Sequence, residues 1–188
     1  MNQTSVPETA LKAGVAAAQA AALQAAEGPQ QYLTFMLGAE VFAIEILSIR
    51  EIIEHAPLTQ VPMMPQYVGG VINLRGAVVP VVDLAVRFGR AASAVSKRTC
   101  IVIIEVQAGE ERQQVGLLVD AVNAVLEIAP AQIEPPPAFG ARVRTDFIRG
   151  MGKVDSKFII LLNVTDLLKS EELEHLKGAE QPAAGGAE

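Results

Sequence analysis

An internal repeat is the feature that most constrains the fold of this chain. The segment FAIEILSIREIIEHAPLTQVP (residues 42–62) aligns with VGLLVDAVNAVLEIAPAQIEP (residues 115–135) at an offset of 73 positions, from 42 to 115. Apolar positions match along the start of both segments. The identical pairs are Glu54 and Glu127, Ala56 and Ala129, Pro57 and Pro130, and Pro62 and Pro135. Because both copies keep the same order of apolar and proline positions, we infer two similar structural units.

The repeat continues beyond these segments at a slightly larger offset. YVGGV (67–71) corresponds to FIRGM (147–151), and VVPVVDL (78–84) corresponds to FIILLNV (158–164), an offset of 80 positions from 67 to 147. The second copy therefore holds seven more residues than the first, the difference between the two offsets, around PPAFGARVRT.

Alternating apolar residues dominate both copies. Every second residue is apolar in YLTFMLG (32–38) and EVFAIEI (40–46), which predicts two strands joined by a turn at Gly38-Ala39. Two further strand-like runs flank QAGEER (107–112), a hairpin loop with Gly109 at its tip. Helical patterns are confined to three short stretches, at residues 83–89, 165–169 and 170–177. We therefore predict a mostly-β protein.

These patterns divide the chain into a folded region with a segment on either side. Residues 1–29 form an Ala-rich leader, which we expect to be flexible, and residues 178–188 form a tail of disordered composition. The predicted folded region is residues 30–177. It consists of subdomain one at about 30–92, subdomain two at about 97–165 and a C-terminal helix at about 166–177.

Composition excludes several functional classes. A net charge of −6 argues against a nucleic-acid or anionic-membrane surface, because either would need a basic stripe. No apolar run approaches the roughly eighteen residues needed to cross a bilayer, so we predict no direct membrane insertion. The single cysteine, Cys100, excludes an intrachain disulfide, and the N-terminus lacks the basic and apolar regions of an export signal. We therefore expect a cytoplasmic protein.

Candidate catalytic and metal-binding residues are few. His55 and His175 lie far apart in the sequence, and neither has a companion at metal-ligand spacing. Cys100 lies in an alternating strand, where we interpret it as a packing thiol. Asp83 and its repeat counterpart Asn163 each precede a short helical stretch, where Asp and Asn are the expected N-caps.

One turn places an arginine inside an otherwise apolar region, GGVINLRGAVVPVVDL (69–84). At the offset of 80, NLRG (73–76) corresponds to KVDS (153–156), so the second copy makes the same turn without arginine. Arg75 is therefore either a solvated turn residue or a guanidinium whose fixed fork of donors binds a carboxylate or carbonyl of a partner.

The same region carries a family resemblance. VPMMPQYVGGVINLRGAVVPVVDLAVRFG (61–89) resembles the signature region of the CheW family, the coupling proteins of bacterial chemotaxis. Further stretches match that family in order: FAIEILSIREI (42–52), VGLLVDAVNAVLEI (115–128), AQIEPPPAFG (131–140), FIRGMGKVDSKFIILLNVTDLL (147–168) and SEE (170–172). The resemblance covers about residues 30–177 and leaves the Ala-rich leader without a counterpart.

The resemblance implies a fold and a function. The fold would be two SH3-like β-barrel subdomains around a shared core, with short helices and a C-terminal helix. The protein would be a non-catalytic adaptor with no cofactor and no metal. Its partners would be the regulatory domain of the histidine kinase CheA and the cytoplasmic tips of methyl-accepting chemotaxis receptors, in signalling arrays beneath the inner membrane.

The resemblance also implies site residues. By position, the receptor or kinase interface residues are Ile49, Glu51, Asn73 and Arg75, and the turn-shaping residues are Gly70 and Gly76.

For two of these residues the sequence leaves a structural alternative open. Ile49 is alternatively an ordinary core residue, and Glu51 is alternatively a solvated carboxylate or the ion-pair partner of Arg50 or Arg75. The repeat counterpart of Glu51 is Ala124, so Glu51, like Arg75, is specific to the first copy.

Two other functions remain open at this point. One is a CheW-like adaptor of a non-flagellar, pilus-type chemosensory system. The other is a β-barrel that binds a small molecule or hydrolyses one, which would need a polar pocket with convergent side chains.

Overall fold

The computed structural model describes residues 12, 14–16, 18, 28–92, 94–136 and 147–168. Within these residues the prediction of a mostly-β protein is confirmed. The strands are β1 (Gln30–Leu37), β2 (Glu40–Glu45), β3 (Ile49–Glu54), β4 (Val68–Leu74), β5 (Ala77–Asp83), β6 (Cys100–Ala108), β7 (Glu111–Val119), β8 (Ala121–Ile128), β9 (Ile133–Glu134), β10 (Ile148–Val154) and β11 (Lys157–Leu162). The helical elements are the 3₁₀ turns Ile46–Ser48 and Pro130–Gln132 and the single-turn helices α1 (Leu84–Arg87) and α2 (Val164–Leu167).

The strands form two sheets whose strands follow an equivalent order, with β9 as an additional edge strand in sheet A. Sheet A has the order β8-β1-β2-β11-β10-β9, and sheet B has the order β3-β6-β7-β5-β4. The repeat relates the sheets strand by strand, since β4 and β10 begin 80 positions apart, as do α1 and α2. Each sheet contains strands from both halves of the sequence. From the first half, β1 and β2 lie in sheet A and β3, β4 and β5 lie in sheet B. From the second half, β6 and β7 lie in sheet B and β8 to β11 lie in sheet A. The sequence halves and the sheets therefore differ in membership.

Three apolar clusters account for the long Val- and Ile-rich runs. The largest lies between the sheets and includes Phe35 and Ile44 from sheet A with Val102 and Leu117 from sheet B. A smaller cluster fills sheet B, and another fills sheet A around Tyr32. The strands are apolar on both faces because one face lines a barrel and the other lines the shared core. The expected architecture of two SH3-like barrels around one core is confirmed.

Two equivalent glycines let a chain segment cross each sheet closely. The β4–β5 register shifts at Gly70, and the β10–β11 register shifts at Gly150, which marks a β-bulge in each sheet. A Cβ on Gly70 would lie 2.6 Å from the Thr59 carbonyl oxygen, and a Cβ on Gly150 would lie 2.8 Å from the Glu134 carbonyl oxygen. Gly70 therefore shapes a bulge inside β4 and not the hairpin turn, where the sequence interpretation had placed it.

Short helices follow the last hairpin of each half, as predicted. The Asp83 carboxylate accepts hydrogen bonds from the Ala85 and Val86 amides, and the Asn163 side chain accepts one from the Thr165 amide. Both N-cap predictions are therefore confirmed, and the caps set where β5 and β11 end.

The described part of the leader is helical. Residues 12, 14–16 and 18 are in helical conformation, and the side chains of Val15 and Ala18 are buried in the shared core. The described residues are helical, whereas the sequence predicts a flexible leader. Val15 and Ala18 lie three apart, so they share the helix face that packs into the core. The predicted helix at 170–177 and the tail lie outside the described residues. No helix among the described residues is long and apolar enough to span a membrane.

Candidate protein-interaction site

The hairpin between β4 and β5 presents Arg75 at its tip. Leu74 pairs with Ala77, so Arg75 and Gly76 form a two-residue loop with φ values of 53° and 87°. Two successive positive φ angles are the geometry of a type I′ turn, which matches the twist of the strands. The Asn73 side-chain oxygen accepts a hydrogen bond from the Gly76 amide at 2.9 Å. Asn73 therefore stabilises the turn, and its side chain is partly committed to the backbone.

The second copy builds the same turn from other residues. Asp155 and Ser156 have φ values of 50° and 63° between paired residues of β10 and β11. Arginine has no special tolerance for positive φ, unlike glycine, asparagine or aspartate. The backbone position is shared by both copies, so turn geometry does not account for the choice of Arg75.

Arg75 and Glu51 form an ion pair at the surface. The Arg75 Nη2 atom lies 3.1 Å from the Glu51 Oε2 atom, and the two side chains are 79% and 22% exposed respectively. The pair joins β3 to the turn at the end of β4. These two strands, β3 and β4, are the edge strands of sheet B. Of the alternatives for Glu51, the structure shows the ion pair with Arg75. An exposed pair of this kind contributes about 0–1 kcal/mol, so the guanidinium is accessible and weakly held.

A bulge at Arg50 separates the two β3 site residues. The β3–β6 register shifts between Ile49 and Glu51, and both Ile49 and Ile52 enter the shared core. Glu51 is therefore turned away from the Ile49 face, whereas regular alternation would have placed the two residues on one face. Arg50 is paired with Glu105 at 3.0 Å, which leaves Glu51 to Arg75.

Ile49 is a core residue in this structure. Its side chain is 2% exposed and belongs to the cluster between the sheets. A side chain buried to this degree contributes no contact area to a partner, so the core alternative describes its position. Of the predicted interface residues, Glu51, Asn73 and Arg75 lie at the surface.

Sequence reasoning missed an exposed apolar residue that lies just before β3 in the sequence. Leu47 lies in the 3₁₀ turn that precedes β3, and it is 53% exposed. Met63, in the loop before β4, is fully exposed and has a φ of 62°. Leu47 was detectable in principle, because it is an apolar residue out of phase with the alternation of Ile44 and Ile46. The alternation of apolar residues does not show which of two adjacent apolar residues is buried where a turn interrupts the strand.

A small polar cavity lies on sheet A. Its volume is about 160 Å³, and its lining includes the Arg149–Glu45 ion pair, Ser48, Asn163 and Thr165. Pockets for small ligands are usually about 300–1,000 Å³, so this cavity gives little support to the small-molecule alternative.

The titratable groups that the structure describes include one buried phenol and no cluster of metal ligands. Burial raises the pKa of the Tyr32 phenol above its ordinary value of 10.0, and the positive charge of Arg149 opposes that rise. Among the described residues, no three His, Cys, Asp or Glu side chains are grouped as metal ligands would be. Cys100 is half-buried and packs against the shared core, and His175 lies outside the described residues.

Comparisons with known proteins define the class of this chain. The family model of the CheW-like domain matches residues 31–172. The chemotaxis protein CheW of Rhizobium meliloti is 36% identical over 154 residues, which cover 82% of this chain and 97% of the relative. The chemotaxis protein CheW of Klebsiella aerogenes is 33% identical over 144 residues, which cover 77% of this chain and 84% of the relative.

A solved structure agrees with these relatives. The crystal structure of the scaffolding protein TtCheW from Thermoanaerobacter tengcongensis has a TM-score of 0.68 and 35% sequence identity, and the match covers 75% of this chain and 88% of the other. Fold and sequence together define a two-barrel scaffold protein of bacterial chemotaxis. The chain belongs to the CheW family, and the resemblance found in the sequence is confirmed.

Proposed function

We propose that this chain is a non-catalytic cytoplasmic adaptor that couples methyl-accepting chemoreceptors to the histidine kinase CheA. The observation that carries the proposal is the exposed Arg75–Glu51 pair. The pair is present in one half of a duplicated fold. The other half makes the same turn with Asp155 and Ser156. Its residue at the position equivalent to Glu51 is Ala124. Polar residues kept in one copy only, at the surface, are explained by a partner better than by the fold.

The chemistry of the pair suits protein recognition. A guanidinium offers a planar fork of donors to a carboxylate, and an ion pair worth about 0–1 kcal/mol in water is readily exchanged for a better one at an interface. The exposed Leu47 adds apolar area near the start of β3. A helical receptor tip would contact such a surface through apolar residues oriented by a few charges.

The proposed roles follow from position. Arg75 and Glu51 would contact the partner directly, while Asn73 and Gly76 hold the turn that presents Arg75. Ile49 would act indirectly, by packing β3 against the shared core. Two barrels provide two separate outer surfaces, which suits a protein that binds a kinase and a receptor together.

The test is binding of the purified chain to two fragments, a CheA regulatory domain and a receptor-tip hairpin. We expect both to bind the wild type, and we expect Arg75→Glu to weaken receptor-tip binding by at least about tenfold, because like charges at an interface cost several kcal/mol. Arg112→Glu is the matched control, since Arg112 is also exposed and paired with a glutamate, Glu105. If the folded wild type binds neither fragment, the coupling function is wrong.

A further inference from the structure

Besides the shared apolar core and the contacts of Arg90 with Leu37 and Glu40, one arginine, Arg87, links the two barrels at one end. The Arg87 guanidinium carbon lies 4.6 Å from the ring centroid of Tyr67 and 4.8 Å from that of Phe147. Its Nε atom donates a hydrogen bond to the Leu167 carbonyl oxygen at 3.0 Å. We call Arg87, Tyr67, Phe147 and Leu167 the inter-barrel clamp.

The clamp lies where the two copies of the repeat meet. Tyr67 and Phe147 are equivalent residues at the offset of 80, and each carbonyl accepts a 2.8 Å hydrogen bond, from the Asp83 and Asn163 amides respectively. At the same offset the counterpart of Arg87 is Leu167 itself. Arg87 therefore contacts both members of an equivalent aromatic pair and its own counterpart, which places it near the approximate twofold axis of the fold.

The contacts made by Arg87 cross between the barrels. Tyr67 and Arg87 flank β4 and β5 in sheet B, whereas Phe147 and Leu167 flank β10 and β11 in sheet A. Arg87 is half-buried, and a cation over an aromatic face interacts more strongly when it is partly shielded from water than when it is fully exposed. The Leu167 carbonyl ends a helix and has no partner within it, so the arginine also satisfies an unpaired acceptor.

A change of the angle between the barrels at the clamp would change the distance between the two hairpin tips. Both hairpins, β4–β5 and β10–β11, begin at the clamp and end at their type I′ turns. A seven-residue strand rises about 3.3 Å per residue, so each tip stands about 20 Å from the clamp, and a rotation of about 10° there would move a tip by about 4 Å.

We propose that Arg87 is a positioning residue that fixes the angle between the barrels, and so sets the distance between the two hairpin tips. Its consequence for partners rests on the proposed adaptor function. A protein that engages two partners at once needs its two surfaces in a fixed relation, because simultaneous binding is lost when the geometry forbids it. Arg87 therefore matters for joint binding and not for either partner alone.

The direct test measures the tip-to-tip distance by double electron–electron resonance. Spin labels at Ala77→Cys and Lys157→Cys, two exposed and equivalent positions beside the turns, are placed in a Cys100→Ala background. We expect a narrow distribution with Arg87 and a broadening or shift of about 4 Å in Arg87→Met, which keeps the stem and removes the cation. Arg112→Met is the control that leaves the distribution unchanged.

Two further arms keep the test decisive. If Arg87→Met does not fold, the same labels in Arg87→Lys, which retains the charge but loses the planar stack and the Nε donor, are expected to show a smaller broadening. Distributions that superimpose on the wild type in every folded Arg87 variant would overturn the proposal.

The functional arm compares single and joint binding. We expect Arg87→Met to bind each isolated fragment within about twofold of the wild type, and to lose about tenfold or more in forming the three-component complex. Unchanged joint binding with a broadened distance distribution would overturn the role in adaptor assembly. A wild type that binds no fragment would refute the adaptor function, and the distance measurement would still test the clamp.

Discussion

Gly70 and Gly150 are equivalent residues, each at a bulge where another segment of the chain crosses the sheet within van der Waals contact. A Cβ on Gly70 would also lie 2.9 Å from the Leu58 Cβ, and one on Gly150 would lie 2.8 Å from the Ile133 Cγ2. Backbone atoms are among the neighbours in both places, so neither site can relax by moving a side chain alone.

We expect Gly70→Ala to destabilise the fold by about 2–4 kcal/mol, since overpacking against backbone and a φ of 147° both oppose a side chain. Gly76→Ala is the matched control, because open space surrounds Gly76 and only its φ of 87° opposes the change, at a cost of about 1 kcal/mol. Urea unfolding of both variants measures the difference. Equal losses would show that the close approach at Gly70 has no energetic weight.

The N-cap of α1 should be worth a measurable part of the stability. Asp83 is 6% exposed and its carboxylate accepts two amide hydrogen bonds. Asp83→Ala leaves those amides unpaired, so we expect a loss of about 1–2 kcal/mol. Asp83→Asn keeps an acceptor and should recover most of it, as Asn163 does in the second copy. A loss in Asn as large as that in Ala would point to the charge and not to capping.

Part of the leader should contribute to folding. Val15 is buried in the shared core, whereas the neighbouring Ala16 is exposed. We expect Val15→Asp to lower the free energy of unfolding by about 1–3 kcal/mol, because it places a charge in an apolar contact. Ala16→Asp should cost less than about 0.5 kcal/mol. Equal melting temperatures for the wild type and a chain without residues 1–27 would show that the leader does not stabilise the fold.

Leu47 should affect binding and not folding. Its side chain is 53% exposed beside β3, so Leu47→Ser is expected to change stability by less than about 0.5 kcal/mol. We expect the same change to weaken receptor-tip binding by about threefold to tenfold, since an apolar contact is removed. Val95→Ser is the control, because Val95 is 59% exposed in the loop before β6. Loss in both variants, or in neither, would remove Leu47 from the site.

Much of the fold was predictable because the repeat is carried by local patterns. Alternation identified the strands, and Asp83 and Asn163 identified the starts of the two short helices. The exchange of β1 and β2 into the sheet of the other half was not predictable, because a repeat shows which strands are alike and not which strands pair. Composition likewise could not show that Val15 and Ala18 face the core.

The site was predictable to a smaller extent. Arg75 and Glu51 were identified as specific to one copy, and Glu51 as a potential partner of Arg75. The bulge at Arg50 was not foreseen, because a period of two assumes a regular strand, and it moves Glu51 away from the Ile49 face. The clamp around Arg87 joins residues 80 positions apart, and no local pattern records such contacts.

A charge exchange tests the central claim most directly, by separating an internal role of the Arg75–Glu51 pair from a role toward a partner. Receptor-tip affinity and melting temperature would be measured for the wild type, Arg75→Glu, Glu51→Arg and the double variant that restores the internal pair in reverse. We expect all four proteins to melt within a few degrees of one another, because an exposed pair contributes about 0–1 kcal/mol. We also expect receptor-tip binding to stay weak in the double variant, because the partner meets the wrong charge at each position. Wild-type affinity in the double variant, or in Arg75→Glu alone, would contradict the account.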